Sequence, residues 1–80
     1  MSLVELTETI VKSLVEDKDS VSVKQFEEEN NEILIEIVLK EEDKNNLFSD
    51  GKMLISIKTL LQASSYLKDN KKIKVNVTSI

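Results

Sequence analysis

The chain has no cysteine, no histidine, no proline and no arginine, and its 80 residues include a single glycine. Without cysteine there is neither a disulfide framework nor a thiolate metal site. Without histidine the commonest general base and the commonest metal ligand are both missing, which leaves carboxylates as the only ordinary metal ligands. All eleven basic residues are lysine. Lysine neutralises phosphate as a point charge but cannot form the planar two-bond fork of a guanidinium. Apolar runs are only a few residues long, and no cationic leader precedes a hydrophobic stretch, so no membrane span is expected and the expected location is the cytoplasm. The lack of proline leaves every strand pairing open and selects none.

What is present reads as one globular domain. Hydrophobic residues make up 40% and charged residues 32%, which excludes wholesale disorder. A chain this short buries roughly 60–65% of its unfolded surface. The net charge of −4 opposes general nucleic-acid binding, but the charge is unevenly placed. Through Asp43 there are thirteen acids and four lysines; from Lys44 onward there are two acids, Asp50 and Asp69, and seven lysines. Any anion-binding surface is therefore expected in the second half. The ordinary reading of such asymmetry is solvated charge on exposed faces.

Leu3, Val4, Leu6, Ile10, Val11, Leu14 and Val15 recur at helical spacing, with Ser2 as N-cap and Glu5 completing a capping box. Asp17-Lys18-Asp19-Ser20 ends that helix. From Val21 to about Phe26 the period is two, a strand. The run Glu27-Glu28-Glu29-Asn30-Asn31 is expected as a solvated hairpin tip. Ile33, Ile35, Ile37 and Leu39 line one face of a second strand, opposite Leu34, Glu36, Val38 and Lys40. A short helix is expected from Asp43 to about Phe48, and Ser49-Asp50-Gly51 breaks it. A longer helix follows, with Met53, Ile57, Leu60, Ser64 and Leu67 on one face and Leu54 and Leu61 beside them. Asp69-Asn70 closes it, and Ile73, Val75 and Val77 mark a last strand. The expected fold is α+β, a two-layer sandwich in the order α-β-β-α-α-β, its three-stranded sheet carrying helices on one face.

No catalytic constellation emerges. Ser49 and Lys52 sit three apart at the break, but a turn serine and a helix-start lysine ordinarily serve as cap and surface charge. Asp50 and Glu41-Glu42-Asp43 lack calcium-loop spacing. Neither an enzyme nor a cofactor nor a metal site is expected.

Three stretches resemble a known family. Leu3-Val4-Glu5-Leu6 with Ile10-Val11-Lys12-Ser13-Leu14-Val15 resembles the first helix of the small bacterial single-KH-domain RNA-binding proteins. Lys52 to Ala63 resembles their long helix after the nucleic-acid loop, and Ile73 to Val77 their closing strand. The element order is that of the type II KH fold. The resemblance implies binding of single-stranded RNA at a Gly-x-x-Gly loop between two helices, where bare backbone approaches the sugar-phosphate chain and helix N-terminal amides face the phosphates. It also implies self-association, or pairing with another KH protein, through the long helix.

Here the loop reads Phe48-Ser49-Asp50-Gly51, with only the second glycine kept and the segment from Glu42 one residue shorter than the pattern. Asp50 puts negative charge where a phosphate passes. Like charges about 4 Å apart at an effective dielectric near 20 cost about 4 kcal/mol before salt screening. The RNA-binding residues implied are Lys44, Ser49, Asp50, Gly51, Lys52 and Lys58. Phe48 reads as core filler, with base stacking as its functional alternative. Leu54 and Ile55 widen the apolar stripe into a candidate contact patch. Two readings stand: an RNA-binding module weakened at its loop, and a degenerate KH module acting as a homodimer or with a KH partner.

Overall fold

A computed structural model of the chain describes residues 2–68 and 70–80. The order is α1 (Leu3–Lys12), β1 (Ser22–Glu28), β2 (Glu32–Leu39), α2 (Glu41–Phe48), α3 (Lys52–Lys68) and β3 (Lys72–Ser79), with one 3-10 turn at Lys18–Ser20. The sheet order is β1-β2-β3; β1 runs antiparallel to β2, and β3 parallel to it. This is the type II KH arrangement. The expected order and the one-sided helix layer both hold.

Local chemistry explains the element ends. Ser2 Oγ accepts the Glu5 N–H at 3.1 Å while Glu5 Oε1 accepts the Ser2 N–H at 3.0 Å, the reciprocal capping box. The Ser2 N–H, and after it the Ser2 hydroxyl, bond the Glu5 carboxyl and hold it below its ordinary range. α1 ends at Lys12, earlier than the apolar stripe suggests, because the Ser13 hydroxyl donates back to the Ile10 carbonyl at 2.7 Å and the chain tightens into a turn. Leu14 is consequently exposed, while Val11 and Val15 are buried.

β1 extends through Glu27 and Glu28, which the sequence suggests as hairpin tip. The reason is cationic: Lys71 Nζ lies 3.3 Å from Glu27, and Lys74 Nζ lies 3.6 Å from Glu28 and 2.9 Å from Glu32. Lysines of the β3 side thus neutralise a run that reads as repulsive in isolation. The true tip is Glu29-Asn30-Asn31, with both asparagines at φ 60°, a region asparagine tolerates better than most residues. α2 starts at Glu41 rather than Asp43, its first turn carrying three acids at the positive end of the helix dipole.

The core is built on β2. Ile33, Ile35, Ile37 and Leu39 are buried against Val11, Val15, Val21, Val23, Ile57, Leu61 and Ile73. On α3 the core-facing residues are Ile57, Leu61 and Ser65, one step around the helix from the expected stripe. Leu60 is exposed and Leu67 is 88% exposed, because α3 must face both β3 and α1, which rotates its buried edge. Polar side chains fasten its far end: Ser65 Oγ donates to the Lys71 carbonyl at 2.7 Å, and the Gln62 amide bonds both the Lys71 carbonyl and the Ile73 N–H at 2.9 Å. Asn70, at φ 54°, donates to the Ser65 carbonyl at 2.7 Å and closes the helix. Asp69, expected to share that role, lies outside the described residues.

Candidate nucleic-acid interface

α2 and α3 meet at a three-residue turn. Leu47 and Phe48, the apolar end of α2, pack against the core. The Phe48 ring therefore anchors the helix and leaves the turn unplugged. Ser49 keeps right-handed helical backbone, at φ −68° and ψ −31°, and is exposed with Asp50. Gly51 then turns the chain at φ 78°, where a side chain is strained, and its carbonyl accepts the first bond of α3 from the Ile55 N–H at 3.2 Å.

The space beside Gly51 is open. A Cβ built there meets no atom within 4 Å. A side-chain-free main-chain surface thus faces solvent at the N-terminus of α3, where amide donors and the helix dipole favour an anion. Asp50 Oδ1 already accepts the Lys52 N–H at 3.0 Å. The aspartate flagged as repulsive thus also caps α3, occupying one of the donors a phosphate would use.

Around this turn the cations are available. Among the described residues, Lys44, Lys52 and Lys58 take part in no ion pair, whereas Lys12, Lys40, Lys71 and Lys74 are all engaged. Lys44 is half-buried on α2; Lys52 and Lys58 are exposed on α3. The structure does not gather them on one stripe. Six residues apart on an α-helix, Lys52 and Lys58 point about 120° away from each other. Lys52 belongs to the turn, whereas Lys58 opens onto a different surface.

That surface is a shallow groove of about 500 Å³ along the outer side of α3, lined by Ile55, Lys58, Thr59, Gln62, Ala63 and Tyr66. Ile55 is 65% and Tyr66 63% exposed. Of the two expected patch residues, Ile55 lies in this groove and Leu54 is half-buried outside its lining. Thr59, Ala63 and Tyr66 escape a reading by hydropathy alone. The positional signal was available, since 55, 59, 62/63 and 66 repeat at helical spacing. Among the described residues no group of three or more acids is placed to hold a metal, and no helix is long and apolar enough to cross a membrane.

These features define the class: a minimal KH fold with an open glycine turn at its helix junction. A curated relative fits that class. "RNA-binding protein KhpA" of Thermotoga maritima is 36% identical to this chain over 74 residues, covering 91% of this chain and 95% of that protein. The chain belongs to the KhpA family. No family model and no solved structure matches it.

Proposed function

We propose that the chain binds single-stranded RNA at the α2–α3 corner. Gly51 supplies bare main chain, Lys52 and Lys44 supply phosphate attraction, and Ser49 and Asp50 frame the turn, while Lys58 opens onto the neighbouring groove of α3 and lies outside this corner. The observation that carries this reading is the open space over Gly51 in a member of a family whose curated relative is an RNA-binding protein. The role is binding rather than catalysis, in keeping with a chain that has neither histidine nor cysteine. The setting it suits is the cytoplasm.

The test is titration of short single-stranded RNA across a salt series. Two lysine–phosphate contacts correspond to a log–log salt slope of about −1.4 for a single strand. Lys52→Glu is expected to abolish binding. Absence of binding at low salt overturns the reading.

The exposed groove on α3 favours a second reading, in which this chain also pairs with a copy of itself or with another KH protein. Ile55→Glu is then expected to dissociate an oligomer seen in solution mass, and Leu54→Glu to have the smaller effect. A monomer at every concentration refutes it.

A further inference from the structure

α2 has little apolar surface to hold it in place. Its large apolar side chains, Leu47 and Phe48, both sit in the last turn. At the other end Asp43 is 5% exposed, a buried carboxylate on the inner side of the first turn. Its Oδ1 accepts the Glu16 N–H at 3.2 Å and its Oδ2 accepts the Asp17 N–H at 3.5 Å. Among the described residues no cation pairs with it. Two successive main-chain amides turned onto one anion form an anion nest. Here the anion comes from α2 and the nest from the connection between α1 and β1.

A second bond runs alongside. Lys40, the residue before α2, pairs with Asp17 at 2.7 Å, and Asp17 also accepts the Ser20 hydroxyl at 2.9 Å. The pair holds the Asp17 carboxyl below its ordinary range and pushes the Lys40 ammonium up. The start of α2 is thus fastened twice to a segment remote in sequence. An eight-residue helix does not persist by itself, so its direction is set by what grips its two ends. The core grips one end. The other is gripped by Asp43 and Lys40.

We propose that Asp43 is a positioning residue for the α2–α3 corner: its clamp on the Glu16 and Asp17 amides fixes α2, and with it Lys44 and the turn at 49–51. The consequence for RNA rests on the reading above. Asp43 touches no nucleic acid in this scheme; it acts through the helix. Lys44 is the next residue, and the turn begins six residues on, so releasing the first turn lets the corner move.

The test uses the full chain in two measurements. Amide hydrogen exchange without RNA compares the chain with Asp43→Asn, which keeps one acceptor oxygen, and with Asp43→Ala, which keeps none. Exchange across 44–51 is expected to rise about tenfold or more in Asp43→Ala, less in Asp43→Asn, with 33–39 of β2 unchanged. An equal rise in both regions means general destabilisation and overturns the proposal. Single-stranded RNA is then titrated well below the melting midpoint, and loosened variants are expected to bind about fivefold or more weakly. A folded variant with loosened α2 and unchanged RNA affinity also overturns it. Should Asp43→Ala fail to fold, Lys40→Ala loosens the same end with Asp43 intact, and unchanged exchange across 44–51 in both Lys40→Ala and Asp43→Asn counts against the proposal. If the unmodified chain binds no RNA, the RNA reading fails while exchange still decides the clamp.

Discussion

Replacing Gly51 with alanine separates backbone conformation from steric contact, because the structure removes one of the two. The residue sits at φ 78°, and an added methyl meets nothing within 4 Å. The whole cost to folding is therefore conformational, about 1–2 kcal/mol for placing a side chain in left-handed space. For a domain of this size about 1 kcal/mol moves the melting midpoint by roughly 4–8 °C, so Gly51→Ala is expected to lower it by about 4–16 °C. Gly51→Asn should lose less, since asparagine tolerates that region. Circular-dichroism melts give the midpoints. RNA titration at a temperature where all three forms are folded then asks the second question. If RNA backbone passes over Gly51, both variants lose affinity beyond anything explained by unfolding, because each puts a side chain in its path. A Gly51→Ala protein that melts with the unmodified chain refutes the conformational reasoning. One that melts early yet binds RNA unchanged places the nucleic acid elsewhere.

Asp50→Asn keeps an acceptor oxygen for the Lys52 N–H and removes only the charge, so RNA affinity should rise with little change in melting. Asp50→Lys should strengthen binding further, and no change in a titration of either variant means phosphate does not run past the turn. Leu61→Ala empties a fully buried site and is expected to cost about 2–5 kcal/mol in denaturant unfolding, against within about 0.5 kcal/mol for Leu67→Ala. Equal costs would put the wrong face of α3 in the core. Acid should weaken the fold in a definite window. Glu5, Asp17 and Glu32 are held below their ordinary values of 4.5, 3.8 and 4.5, so their contribution is present above those values and is lost as pH falls through the lower folded ones. Lys40 and Lys74 are raised above 10.5, so theirs is present below that value and lost as pH rises past it. Calorimetric melts that stay level from pH 7 down to about pH 3 would contradict the acid arm.

Several elements were legible because their signals are local. The Ser2–Glu5 capping box, the alternation from Ile33 to Leu39 and the Ser49-Asp50-Gly51 break each depend on neighbours within a few residues, and each appears in the structure as read. The misplaced end of β1 has a remote cause, charge brought in from the other end of the chain. Glu27 and Glu28 look like a tip until Lys71 and Lys74 arrive from the β3 side to neutralise them. On α3 the periodicity marked a helix correctly but not its buried edge, because Leu60 and Ile57 are equally apolar and only the positions of α1 and β3 distinguish them.

By itself, then, the amino-acid order settled which segments are helix or strand, where α2 and α3 separate, and that disulfides and histidine or cysteine chemistry are excluded. Those properties follow from side-chain type and spacing along a few residues of chain. Tertiary structure alone decided that the space over Gly51 is open, that Asp50 caps α3, and that Asp43 reaches back to the amides of Glu16 and Asp17. Each depends on where a side chain points once distant segments are packed together, and a backbone torsion or a contact spanning 27 residues leaves no periodic trace in the sequence.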